Sequence, residues 1–146
     1  TLLDYGCGKG HQYTRKSPPF DQVTGFRSHY LFDPCVEEYK KLPRSNRKFD
    51  AIICLQVIRH IPDQDIPWLK EYFEKAAKKF VLIGEYHPTI KQKGKKVTTW
   101  DGENRTVEWY HEQFADWNSP AKLYWRWRKS DCDLSRADNQ TIINTM

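Results

Sequence analysis

The sequence predicts an α/β domain built on a doubly wound, mostly parallel sheet in three layers. Three observations carry that expectation. The stretches Leu2-Leu3, Ala51 to Leu55 and Val81-Leu82-Ile83 are continuous apolar runs, as expected of parallel strands covered on both faces. Between the last two, Ile66, Leu69, Phe73, Ala76, Ala77 and Phe80 keep helical spacing. A glycine-rich turn, Gly6-Cys7-Gly8-Lys9-Gly10, directly follows the first strand. Sheets of this kind bind ligands beyond the carboxyl ends of their strands.

The first strand spans Leu2 to Tyr5, and His11 to Arg15 opens a helix that Pro18-Pro19 stops early. Tyr30 to Asp33 forms the second strand, closed by Pro34, and Val36 to Lys41 reads as a short helix. Leu42 to Lys48 is polar and turn-like. Phe49 to Leu55 is the next strand. Asp65 can cap the long helix that follows, with Pro67 in its first turn. Phe80 to Tyr86 is again a strand, and His87 to about Arg105 reads as a long polar loop. Val107, Tyr110, Phe114 and Trp117 mark a second amphipathic helix. Lys122 to Arg128 alternates apolar and polar residues like a half-exposed strand, and the sheet is expected to end on an antiparallel C-terminal strand. Trp109, Tyr110, Trp117, Trp125 and Trp127 fit core packing better than a ligand cage. The last eighteen residues carry no readable pattern.

The 146 residues suit a single domain over 1–146. Thr1 stands directly before what reads as a central strand, so N-terminal residues are expected to be missing. A net charge of +5 is mildly basic and fits an acidic ligand or nucleic acid without requiring either. The densest cationic patch is Lys91, Lys93, Lys95 and Lys96, read as a solvated loop. No run approaches the roughly 18–20 apolar residues of a membrane span, and no secretory signal opens the chain. Cys7, Cys35, Cys54 and Cys132 form no CxxC pair, so reduced thiols, a cytoplasmic setting and no metal are expected.

The glycine loop carries the chemistry. Its three glycines alternate, which lets the backbone turn sharply and approach a ligand closely. A dinucleotide fingerprint needs G-x-G-x-x-G, and His11 stands where its third glycine would be. No Gly-Lys-Ser/Thr follows, so it is not a P-loop either. Asp4, two residues before Gly6, would repel a diphosphate and attract an ammonium or sulfonium group.

These residues resemble the class I S-adenosylmethionine-dependent methyltransferases. Leu3-Asp4-Tyr5-Gly6-Cys7-Gly8-Lys9-Gly10 matches their first motif, and Asp33 after Tyr30-Leu31-Phe32 matches their acidic residue at the end of strand two. Phe49-Asp50-Ala51-Ile52 and His60-Ile61-Pro62 match the next signature. The resemblance implies a Rossmann-like fold, with the family's third strand expected to be reduced or missing at Leu42–Lys48 and its N-terminal lid helices expected to be missing, and S-adenosyl-L-methionine as cofactor, leaving S-adenosyl-L-homocysteine as product. It implies that Gly6, Gly8 and Gly10, with Tyr5 before them and Cys7 between the first two, shape the loop under the cofactor. Asp4 would orient its ammonium end, Asp33 would hold both ribose hydroxyls, and Pro34 and Cys35 would flank the adenine. Leu55 would offer its carbonyl to the ammonium group, and Gln56 would face the methyl side.

Methyl transfer from a sulfonium is an in-line displacement with a neutral leaving group. It needs alignment and, for an O–H or N–H acceptor, a base. Glu85, His87 and His60 are the catalytic candidates on the ligand edge, with His111 and Tyr13 as further residues near it. A small-molecule acceptor is the leading expectation. An RNA or protein methyltransferase, or a non-catalytic cofactor-binding domain, stands as the alternative. Nucleic acid is possible but not favoured, no membrane is expected, and the sequence leaves the oligomeric state open.

Overall fold

A computed structural model describes residues 1–86, 89–92, 95–98, 105–117, 119, 121–128 and 139–144. The main sheet has six strands: β1 (Leu2–Tyr5), β2 (His29–Phe32), β3 (Phe49–Leu55), β4 (Ala77–Tyr86), β7 (Lys122–Arg128) and β8 (Asn139–Asn144). They lie in the order β2-β1-β3-β4-β7-β8. Every pair from β2 across to β7 is parallel, and only β7–β8 is antiparallel. The fold is therefore the doubly wound α/β class. Lys122–Arg128 runs parallel to β4, so the antiparallel C-terminal strand is the one after it, in a stretch with no sequence pattern.

The helices are α1 (His11–Thr14), α2 (Phe20–Thr24), α3 (Ile66–Ala76) and α4 (Val107–Phe114). One face of the sheet packs Leu3, Ile52, Val81 and Ile83 against Leu69 and Phe73 of α3, with Tyr110 and Phe114 of α4 in the same core. The other face is thinner: Leu2, Ala51 and Ile53 meet Phe20, Phe26, Phe80 and Leu82. Adjacent residues of β1 thus serve opposite faces, as the strand pleat requires.

Several boundaries differ from expectation. α3 stops at Ala76, and Ala77 to Phe80 belong to β4. The apolar residues at those positions suit either element, and pairing of Phe49 with Ala77 extends the strand. Val36–Lys41 is not a helix but a run of turns, with Val36 N–H bonded to Asp33 O and Tyr39 N–H to Val36 O. No strand lies between β2 and β3, so β2 is the sheet edge. The stretch after β4 is not loop throughout. β5 (Thr89–Gln92) and β6 (Lys95–Thr98) form an antiparallel ribbon with Lys91 opposite Lys96.

Candidate functional site

The carboxyl ends of β1, β2 and β3 lie side by side because their pairing is parallel and in register: Tyr5 pairs with Phe32, and Asp4 with both Leu31 and Ile53. At the end of β1 the chain turns through Gly6, Gly8 and Gly10, with φ of 81°, 56° and 65°. These left-handed values favour glycine. The loop is tied to β2 because the amides of Gly6 and Cys7 both donate to Phe32 O, at 2.7 and 3.0 Å.

Packing separates the roles of the glycines. A Cβ on Gly6 would lie 2.1 Å from Val57 Cγ2, so the loop rests directly on the turn after β3. A Cβ on Gly10 would press on Tyr39 and Leu31 at 3.3–3.4 Å. A Cβ on Gly8 would meet nothing within 4 Å and would project into open space.

Asp33 braces this loop. Its Oδ2 accepts from Gly8 N at 2.9 Å, and its Oδ1 accepts from Cys35 N at 2.9 Å. One half-buried carboxylate thereby links the glycine loop to the turn after β2. Pro34 and Cys35 are exposed beside it.

Asp4 sits behind the loop, only 4% exposed. Its Oδ2 accepts from Gln12 Nε2 at 2.9 Å and from the Tyr13 hydroxyl at 2.8 Å. Gln12 Nε2 also reaches Cys7 O at 3.2 Å, so Asp4 and α1 hold the loop from within. Burial pushes the Asp4 carboxyl above its usual range, against the pull of those two hydrogen bonds. Gln12 was no sequence candidate, and Tyr13 was read only as a residue near the edge. A polar helix directly after a glycine loop is the signal that points to both. Tyr5 and Cys7 turn their side chains inward. The Tyr5 ring packs edge-on against Phe73 at 5.2 Å, so only its backbone faces the ligand edge.

At the end of β3, Leu55 is 43% exposed, while the apolar residues before it are buried. Gln56 is the non-glycine residue with positive φ among the described residues, at 61°, and its N–H bonds Gly84 O at 2.6 Å. Such a conformation costs an L-residue roughly 1–2 kcal/mol, so neighbouring contacts must hold it.

Glu85 is not the solvated strand-end carboxylate that its position suggests. It is 3% exposed, and its Oε1 accepts from Ile58 N at 2.9 Å. Burial, only partly offset by the Arg59 charge and by bonds from the turn's backbone, raises its pKa to about 7. Its Oε2 is buried with no hydrogen-bond partner among the described residues. His60 is exposed at the end of the Ile58–His60 3₁₀ turn, and its Nε2 takes a 3.1 Å bond from Arg59 Nε. His87 lies outside the described residues, and His111 is exposed on α4.

A methyltransferase-domain family model matches residues 1–135. The chain belongs to the methyltransferase-domain family. No curated protein and no solved structure matches it.

The methyltransferase domain thus brings Asp4, Gly6, Gly8, Gly10, Asp33 and Cys35 into one hydrogen-bonded unit, with Gln56 beside them on the adjoining strand end. Among the described residues, no group of three or more His, Cys, Asp or Glu could hold a metal. No described helix is long and apolar enough to cross a membrane. Cys7, Cys35 and Cys54 are free thiols, and Cys132 lies outside the described residues. A groove of about 310 Å³ lies elsewhere, between α3 and the loop after β2, against Pro43, Trp68 and Tyr72.

Arg105 was missed by sequence reasoning. Its guanidinium, from the segment before α4, donates to Ile58 O at 2.6 Å and to Ile61 O at 2.5 Å. Those partners are more than forty residues away, and nothing in the local sequence announces them.

Proposed function

We propose that this domain is an S-adenosylmethionine-dependent methyltransferase that acts on a small-molecule acceptor. The observation that carries the reading is the Asp33–Gly8 bond beside open space at Gly8. A carboxylate offers about four acceptor sites. The amides of Gly8 and Cys35 use two. The other two suit the adjacent hydroxyls of a ribose. The missing side chain at Gly8 leaves room for the ligand, Gly6 and Gly10 set the loop's path, and Pro34 and Cys35 flank the base. The Leu55 carbonyl receives the ammonium group, and Gln56 faces the methyl side. Asp4 orders the loop from behind without touching the ligand.

When bound, the cofactor supplies a methyl group on a positively charged sulfur. The chain's own task is alignment, exclusion of water and removal of a proton from an O–H or N–H acceptor. Exposed His60, and His87 following β4, are the candidate bases. Glu85 is better suited to holding the Ile58 turn than to meeting an acceptor. The cytoplasmic reading rests on the free thiols and on the sequence.

Calorimetric titration with S-adenosylmethionine, S-adenosylhomocysteine and, as control, NADH tests this. Saturable binding of the first two and none of NADH is expected, followed by methyl transfer in an acceptor panel. Absence of binding removes the reading; binding without transfer favours a non-catalytic role. A second reading, with RNA as acceptor, draws on Lys91 standing opposite Lys96 in the β5–β6 ribbon. RNA binding that weakens steeply with salt would favour it.

A further inference from the structure

We infer that Arg105 is a positioning residue for the cofactor side of this site: from the segment leading into α4, it locks the turn after β3 on which the glycine loop is seated. The inference rests on the proposed cofactor reading only in assigning the loop its ligand.

The chain of contacts is short. Ile58 is held at both backbone groups by charged side chains from distant elements. Glu85 Oε1, from β4, accepts from its N–H at 2.9 Å, and Arg105 Nη1 donates to its carbonyl at 2.6 Å. Arg105 Nη2 also donates to Ile61 O and to Asp63 Oδ1, both at 2.5 Å. The Arg105 side chain is 5% exposed, and its guanidinium lies 4.1 Å from the centre of the Trp109 ring. A buried cation is costly unless its donors are used, and the planar fork of arginine uses several at once. Lysine presents a single ammonium and cannot span the same carbonyls.

The turn so held includes Val57, whose Cγ2 occupies the space where Gly6 would carry a Cβ, at 2.1 Å. Immediately before it stands Gln56, kept at φ 61°. Movement of Ile58 therefore passes to Val57 and from there to Gly6 with no intervening residue. Arg105 thus links the entry to α4 with the glycine loop, two regions joined by no direct hydrogen bond among those described.

The experiment compares Arg105→Ala and Arg105→Lys with Lys70→Ala. Lys70 anchors the far end of α4 by donating to Gln113 O at 2.7 Å and pairing with Asp116, and it contributes nothing to the Ile58 turn. Amide hydrogen exchange on the ligand-free protein is the first readout. Arg105→Ala should speed exchange at least tenfold at Gln56 and Ile58 and at Gly6, Cys7 and Gly8, all of which are hydrogen-bonded. Lys70→Ala should speed it only within α4. Titration with S-adenosylhomocysteine, well below each variant's melting temperature, is the second readout. Arg105→Ala should bind at least tenfold more weakly, Arg105→Lys should recover only part of that loss, and Lys70→Ala should bind like the unsubstituted protein.

Unchanged exchange at the glycine loop in folded Arg105→Ala overturns the inference. So does an equal effect from Lys70→Ala, because general docking of α4 would then explain it. If the unsubstituted protein binds no S-adenosylhomocysteine, the cofactor reading fails, and the exchange data still decide the role of Arg105.

Discussion

Glu85→Gln separates burial from catalysis at the end of β4. The carboxyl ordinarily titrates at 4.5, and burial raises it to about 7 in the folded state. The folded protein therefore holds this proton more tightly than the unfolded chain does. As pH rises through the window from 4.5 to about 7, the unfolded chain gives up the proton first, so stability falls, and it levels off above that window. At about 1.36 kcal/mol per pKa unit, the loss over the whole window is about 3 kcal/mol. Glutamine is neutral throughout, and its oxygen can still accept from Ile58 N, as Glu85 Oε1 does. Its amide nitrogen would replace Oε2, which has no partner among the described residues, at a cost of about 1–2 kcal/mol. The variant is therefore expected to be slightly less stable than the unsubstituted protein at about pH 5 and more stable at about pH 8, a relative swing of about 2–3 kcal/mol. Urea denaturation followed by circular dichroism at both pH values measures the swing. A difference that stays constant with pH, or moves the other way, refutes the reasoning. S-adenosylhomocysteine affinity is expected to stay within about threefold, because Glu85 supports the Ile58 turn and glutamine preserves that support.

Three further outcomes follow from the same geometry. Asp33→Ala removes the acceptor of Gly8 and Cys35 and, on the proposed reading, of the ribose; titration should show S-adenosylhomocysteine binding about 100-fold weaker, equivalent to about 2.7 kcal/mol, and unchanged affinity would remove the ribose assignment. Gly6→Ala places a Cβ against Val57 and forces a left-handed alanine, so a loss of about 2–4 kcal/mol is expected in denaturation; Val57→Ala in the same chain should recover part of it, and strict additivity would show that the contact is unimportant. A Cβ at Gly8 meets nothing within 4 Å, so a Gly8→Val chain should still fold, at a backbone cost of about 1–2 kcal/mol, while cofactor titration gives no signal. Normal binding by that variant would mean that the loop is only a turn.

Much of the site was legible because it is local. Asp4, the three glycines and Asp33 lie at strand ends or within one turn, and their chemistry follows from residue type and spacing. The surroundings of Tyr5 and Glu85 were not legible, for a shared reason. A strand end shows which edge a residue occupies but not which way its side chain points. The Tyr5 ring joins Phe73 in the core, and the Glu85 carboxylate turns under the Ile58 turn. The β5–β6 ribbon lies in a stretch read as a loop, because two lysine-containing strands of four residues each offer no apolar alternation to read.

The sequence by itself determined the fold class, the edge of the sheet that carries the site, and the loop that turns there. Continuous apolar strands and alternating glycines leave few other arrangements. Only the tertiary structure decided what supports that loop. Gln12 and Tyr13 reach back to Asp4, Val57 fills the space at Gly6, and Arg105 reaches Ile58 across 47 residues. These contacts depend on how distant segments pack, and side-chain pairing at such separation leaves no periodicity in a single chain.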